Sequence, residues 1–115
     1  MIPLGTKVFI ARDRVPMRKS FDSLSLLVQD VLEMDPLSGY MFIFINKRSN
    51  YLKALYWERN GFCIWQKRLE KGMFRIPSIM DTQWEVSFQE LQMVLSGIDF
   101  RYMPRPLNIE DYVVN

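Results

Sequence analysis

Histidine is missing from this chain of 115 residues, and cysteine occurs once, at Cys63. Without histidine, the commonest general base and the commonest metal ligand are both gone. One cysteine cannot close an internal disulfide, which excludes a disulfide scaffold, and alone it cannot build a zinc site. Cys63 also has no base to activate it; inside an apolar segment it reads as a small buried hydrophobe. Gly5, Gly39, Gly61, Gly72 and Gly97 stand apart from one another, so no glycine loop is built to cradle phosphates. No apolar run reaches about 18 residues, so no membrane-spanning helix is expected. The first eleven residues show no long apolar segment and no cleavage signal, which reads as the start of a cytoplasmic protein. The acids fall on helix faces, turns and the tail, with no pair at a strand end suited to Mg²⁺. These absences predict no catalytic residue, no metal and no cofactor, and therefore a binding protein rather than an enzyme.

What is present is apolar and unevenly charged. Hydrophobic residues make up 49% of the chain and aromatics 14%, enough to fill a core at this length. We expect a single domain over residues 1–100 followed by a C-terminal tail over 101–115, where Pro104 and Pro106 interrupt a stretch without periodicity. Net charge is only +2, but residues 12–19 hold four bases against one acid, and residues 46–75 hold eight against two. The intervening residues 20–45 carry four acids and no base, and 76–115 carry six acids against two bases. Such alternation fits either ordinary solvated faces or a surface turned toward a polyanion, with an acidic one opposite.

Hydrophobic spacing sets out the elements. Lys7 to Ala11 reads as a short strand. Phe21, Leu24, Leu27, Val28, Val31 and Leu32 recur at helical spacing, predicting a helix from Ser20 to Glu33 that buries Phe21, Leu24, Val28 and Val31. Tyr40 to Ile45 is a continuous apolar run of strand length, and Tyr51 to Glu58 and Phe62 to Arg68 flank Asn60-Gly61, a strong hairpin signal. Met73 to Ile76 reads as a further strand before Pro77. Ser87 with Glu90 forms a capping box ahead of Phe88, Leu91, Val94, Leu95 and Ile98, a second helix. The expected fold is α+β: an antiparallel β-sheet meander of four to six strands packed against two main helices.

With Asn60-Gly61 as the turn, Arg59 pairs with Phe62, and Lys53 falls opposite Arg68. Like charges directly across a sheet repel, so this pair is expected either to face an anion or to be neutralised by an acid from elsewhere, and removing both is not expected to destabilise the fold. Tyr56, Trp57 and Trp65 interleave with these cations. They fit two readings: core filling with lysines snorkelling at the rim, or platforms on which bases stack.

Over residues 2–100 the chain resembles the TnpB (Orf2-like) accessory proteins of the insertion-sequence-sixty-six family of bacterial transposons. The residues that carry the resemblance are Met17-Arg18, Phe21-Asp22 with Leu24 and Val28, Asp35-Pro36 with Gly39, Phe42 and Phe44, and Lys47-Arg48. It continues through Lys53, Leu55, Trp57 and Gly61, then Lys67-Arg68-Leu69-Glu70 with Gly72 and Phe74, and Gly97-Ile98-Asp99. The chain departs from the family at Ser20 and Ser23, where glycines are common. The resemblance implies a non-catalytic protein required beside a separate transposase, unrelated to the RNA-guided nuclease that shares the name. Combined with the charge pattern, it predicts DNA binding through Arg18, Lys19, Lys47, Arg48, Lys53, Lys67 and Arg68. The rival is an adaptor that docks the transposase, or another protein of the same element, without touching DNA.

Overall fold

A computed structural model describes residues 5–97. Its elements, in chain order, are β1 (Val8–Ala11), α1 (Phe21–Asp30), β2 (Met41–Ile45), β3 (Tyr51–Glu58), β4 (Gly61–Arg68), β5 (Gln83–Val86) and α2 (Phe88–Leu95). The strands form one sheet in the order β4-β3-β2-β1-β5. The expected α+β class, a sheet of four to six strands with two helices, is met, and the sheet is mixed, mostly antiparallel. The tail expected over 101–115 lies outside the described residues, as does Ile98 of the second helix. No helix among the described residues is long and apolar enough to cross a membrane.

Both faces of the sheet are covered, and the side-chain period of two divides the core accordingly. On one face Val8, Ile10, Met41, Ile43, Ile45, Leu52 and Ala54 pack with Phe74, Leu91 and Val94. On the other, Phe9, Ala11, Phe42, Phe44 and Leu55 pack with Val15, Leu24 and Val28. Central strand β2 is buried at all five positions, which is why Met41 to Ile45 reads as an unbroken apolar run.

The sheet is not a pure meander. β1 and β2 run parallel, with Val8 beside Met41 and Ile10 beside Ile43. Parallel neighbours need a long crossover, and α1 supplies it. Met73 to Ile76 is not a strand. After β4 the chain must reach β5, which is at the opposite edge of the sheet, roughly 19 Å away across four strand spacings. A segment crossing the sheet cannot also pair along β4. Residues 69–79 instead form a strap whose Phe74, Leu69, Ile76 and Ile79 close one core face. The fifth strand is Gln83–Val86, antiparallel to β1, a segment too short to stand out by its pattern.

The hairpin register also differs from expectation. Glu58 pairs with Gly61, so the two-residue loop is Arg59-Asn60, and Arg59 takes the left-handed conformation at φ +53°. Each residue of β3 therefore meets a partner two places earlier on β4 than expected. Lys53 lies opposite Gln66, Tyr51 opposite Arg68, Leu55 opposite Ile64, and Tyr56 opposite Cys63. The like-charge conflict between Lys53 and Arg68 does not exist. Tyr56 is buried, and Trp65 packs against the same core, so these two rings fill core; Trp57 stacks edge-on against Phe62 at 5.0 Å.

The helices are shorter than the apolar spacing suggests. α1 buries Leu24 and Val28, whereas Phe21 and Val31 are exposed by 44% and 37%, and Leu32 is buried beyond the helix end. The stripe over-counts because a helix end turns away from the sheet it packs on. At the start of α1 the Ser23 hydroxyl accepts the Ser20 backbone N–H at 3.0 Å, a bond that glycine could not make. The capping box at α2 is present as expected: Ser87 Oγ accepts from Glu90 N–H, and Glu90 Oε1 accepts from Ser87 N–H.

Candidate nucleic-acid interface

β1, β2 and β4 end at the same rim of the sheet, where β3 begins. Three loops meet there: residues 12–20, residues 46–50 and the start of the strap. Asn46 organises the middle one. Its Oδ1 accepts the backbone N–H groups of Asn50 and Tyr51 at 3.0 and 3.1 Å, and its Nδ2 donates to Asn50 Oδ1 at 2.8 Å. Asparagine suits this work because its short amide mimics a backbone turn. The carbonyls of Ser49 and Asn50 accept from Phe74 and Leu69, which tie the strap to the loop. Lys47 and Arg48 stand at the apex of this braced turn, exposed.

Arg14 joins the first loop to the second. Its Nη1 donates to Ser49 Oγ at 2.7 Å and, more weakly, to the Asn46 carbonyl at 3.4 Å. Partial burial lowers its pKa from the ordinary arginine value, although an arginine so shifted stays charged at neutral pH. Among the described residues no acceptor takes the Nε or Nη2 donors. A groove of about 480 Å³ opens between the loops. Arg14, Val15, Pro16 and Met17 line one side, and Asn46, Lys47, Arg48, Asn50 and Tyr51 the other. No acid lines it. Among the described residues the ion pairs are Arg12 with Asp13 and Arg68 with Glu70, so Arg14, Arg18, Lys19, Lys47 and Arg48 face no carboxylate at pairing distance.

The seven cations chosen from the sequence divide by this geometry. Lys47 and Arg48 line the groove, Arg18 and Lys19 lie on the turn leading into α1, and exposed Arg68 sits across from Tyr51 and pairs with Glu70. Lys53 is only 8% exposed, and its Nζ donates to the carbonyls of Met17 and Lys19 at 2.7 and 2.8 Å. It is an internal strut that holds the groove's wall to the sheet. Lys67 points to the opposite face and donates to the Leu95 carbonyl at 2.9 Å, at the C-terminal end of α2, where a cation also complements the helix dipole. Arg14, absent from the sequence-based set, is the most firmly positioned cation at the groove. Its only signal in sequence is membership of the basic block at 12–19.

A family described as "IS66 Orf2 like protein" matches residues 6–105. The chain belongs to this family. Membership makes it an insertion-sequence accessory protein and bears out the resemblance carried by its motifs. Among its relatives, the uncharacterized protein y4hO of Sinorhizobium fredii is 38% identical over 104 residues, covering 89% of this chain and 90% of that one. A second protein of the same organism, the uncharacterized y4jC, is 31% identical over 101 residues, covering 88% and 86%. No solved structure matches the chain. In this IS66 Orf2-like chain the Lys-Arg-Leu-Glu segment ends β4 and opens the strap. Lys67 caps α2, Arg68 and Glu70 pair outside, and Leu69 packs inward.

Proposed function

We propose that this IS66 Orf2-like protein supports transposition of its element as a non-catalytic DNA-binding protein, and that its contact surface is the cationic rim of the sheet. The observation that carries the reading is the convergence of Arg14, Lys47 and Arg48 on one groove that no acid among the described residues lines, with Arg18 and Lys19 on the adjoining turn. These residues come from two separate basic blocks that only folding brings together. Loops rather than a projecting helix form the rim, so its contacts go to phosphates rather than to base edges, and binding is weakly sequence-dependent and steeply salt-dependent.

The test is a fluorescence anisotropy titration at low and rising salt, with the triple variant R14Q/K47Q/R48Q beside the wild type. The slope of log affinity against log salt should fall by roughly 2 to 3, near one unit per lost phosphate contact. A protein adaptor is the second reading, favoured by the exposed Phe21 and Leu26 on α1, at 44% and 54%. It predicts no DNA binding even at low salt, together with co-purification of the transposase; that pair of results would replace the DNA reading.

A further inference from the structure

We propose that the groove receives an unpaired nucleotide, so that the protein prefers single-stranded DNA to duplex. This deepens the DNA-binding reading and rests on it. Phosphate contact alone needs only exposed cations on a convex surface, and Lys47 and Arg48 at the turn apex already provide that. The groove adds a concavity of about 480 Å³, within the range of roughly 300–1,000 Å³ typical of small-molecule sites. Val15, Pro16, Met17 and Tyr51 are among its lining residues, together with Arg14, Lys47 and Arg48.

A lining that combines apolar and aromatic residues with three cations fits a flat heteroaromatic base flanked by phosphates. In a duplex the bases are stacked out of reach, and the groove would stay empty. An unpaired base can enter and lie against an aromatic ring or a thioether. Arg14 is preorganised for the flanking phosphate, because Ser49 holds one of its nitrogens while Nε and Nη2 keep their donors for a fork-like contact. Lys53 holds the carbonyls of Met17 and Lys19, which keeps the Pro16–Met17 wall from collapsing into the groove.

The test compares three probes at one salt concentration with the full chain. They are an oligothymidylate of about 12 nucleotides, within the ~4–16 nucleotides that single-strand sites commonly span, an abasic strand of equal length and charge, and the matching duplex. The oligothymidylate should bind roughly 5- to 150-fold tighter than the abasic strand, the ratio expected for stacking one base, and tighter than the duplex. Tyr51→Ala should bring the thymidylate-to-abasic ratio toward one, Tyr51→Phe should preserve it, and Arg59→Ala, at the opposite end of the hairpin, should leave it unchanged. Urea unfolding of each variant confirms that a lost ratio is not a lost fold. Equal affinity of the wild type for the oligothymidylate and the abasic strand overturns this inference while leaving phosphate binding intact. Binding to none of the three at low salt overturns both. Displacement of oligothymidylate by polyglutamate of equal charge, at equal concentration, marks a general anion site and also overturns the inference.

Discussion

Replacing Lys53 with methionine keeps most of the aliphatic stem and removes the ammonium. In the native protein that ammonium is nearly buried and donates to the carbonyls of Met17 and Lys19 at 2.7 and 2.8 Å. Hydrogen bonds to a charged group contribute about 1.5–3 kcal/mol each, and a buried carbonyl left without a donor costs about 1–3 kcal/mol. Relief from burying a charge offsets part of this, since no carboxylate among the described residues pairs with Lys53. The net expected loss is about 2–4 kcal/mol. For a domain of this size that lowers Tm by roughly 8–30 °C. Urea unfolding followed by tryptophan fluorescence measures it, with Arg68→Ala as control. Arg68 pairs with Glu70 on an exposed surface, and its loss should cost less than about 0.5 kcal/mol. Were the two lysine and arginine side chains a repelling pair on the sheet surface, Lys53→Met would be neutral or stabilising. A Lys53→Met stability within about 0.5 kcal/mol of wild type would therefore refute the strut.

Leu24→Ala should cost about 2–5 kcal/mol, because Leu24 is fully buried under α1, whereas Phe21→Ala, at an exposed position, should cost less than about 1 kcal/mol; thermal melts of both distinguish them. Gly61→Ala should be neutral or stabilising by up to about 1 kcal/mol, since Gly61 has an ordinary backbone conformation and open space where a Cβ would lie; a marked loss on urea unfolding would restore the Asn60-Gly61 turn and its register. Lys67→Ala should destabilise by about 0.5–2 kcal/mol through the lost contact with the Leu95 carbonyl, with the loss of amide-exchange protection concentrated in α2.

Local chemistry in the sequence was sufficient for the elements whose stability is local. The capping box at Ser87 and Glu90, the apolar run of β2, the Leu24–Val28 stripe and the hairpin each depend on residues close in sequence, and each appears. The family, too, is written in contiguous motifs. Pairing and partnership were not legible, because they depend on what lies across the sheet. The direction of β1 against β2 follows from the α1 crossover, and the loss of a strand at 73–76 follows from β5 occupying the far edge. The hairpin register turns on which residue accepts a left-handed φ, and Arg59 does so in place of the more permissive Gly61.

The same limit applied to charge. Sequence alone located two basic blocks, but a lysine's role is set by whether a carbonyl or open water meets its ammonium. Lys53 and Lys67 end on backbone carbonyls supplied by residues 34 to 36 and 28 positions away, while Lys47 and Arg48 end on an open groove. Arg14 gained its place only when Ser49, 35 residues on, folded beneath it. The sequence by itself determined the number and kind of cations. The tertiary structure decided which are drawn inside and which stay exposed, because a buried ammonium must find its acceptors within the protein and an exposed one need not.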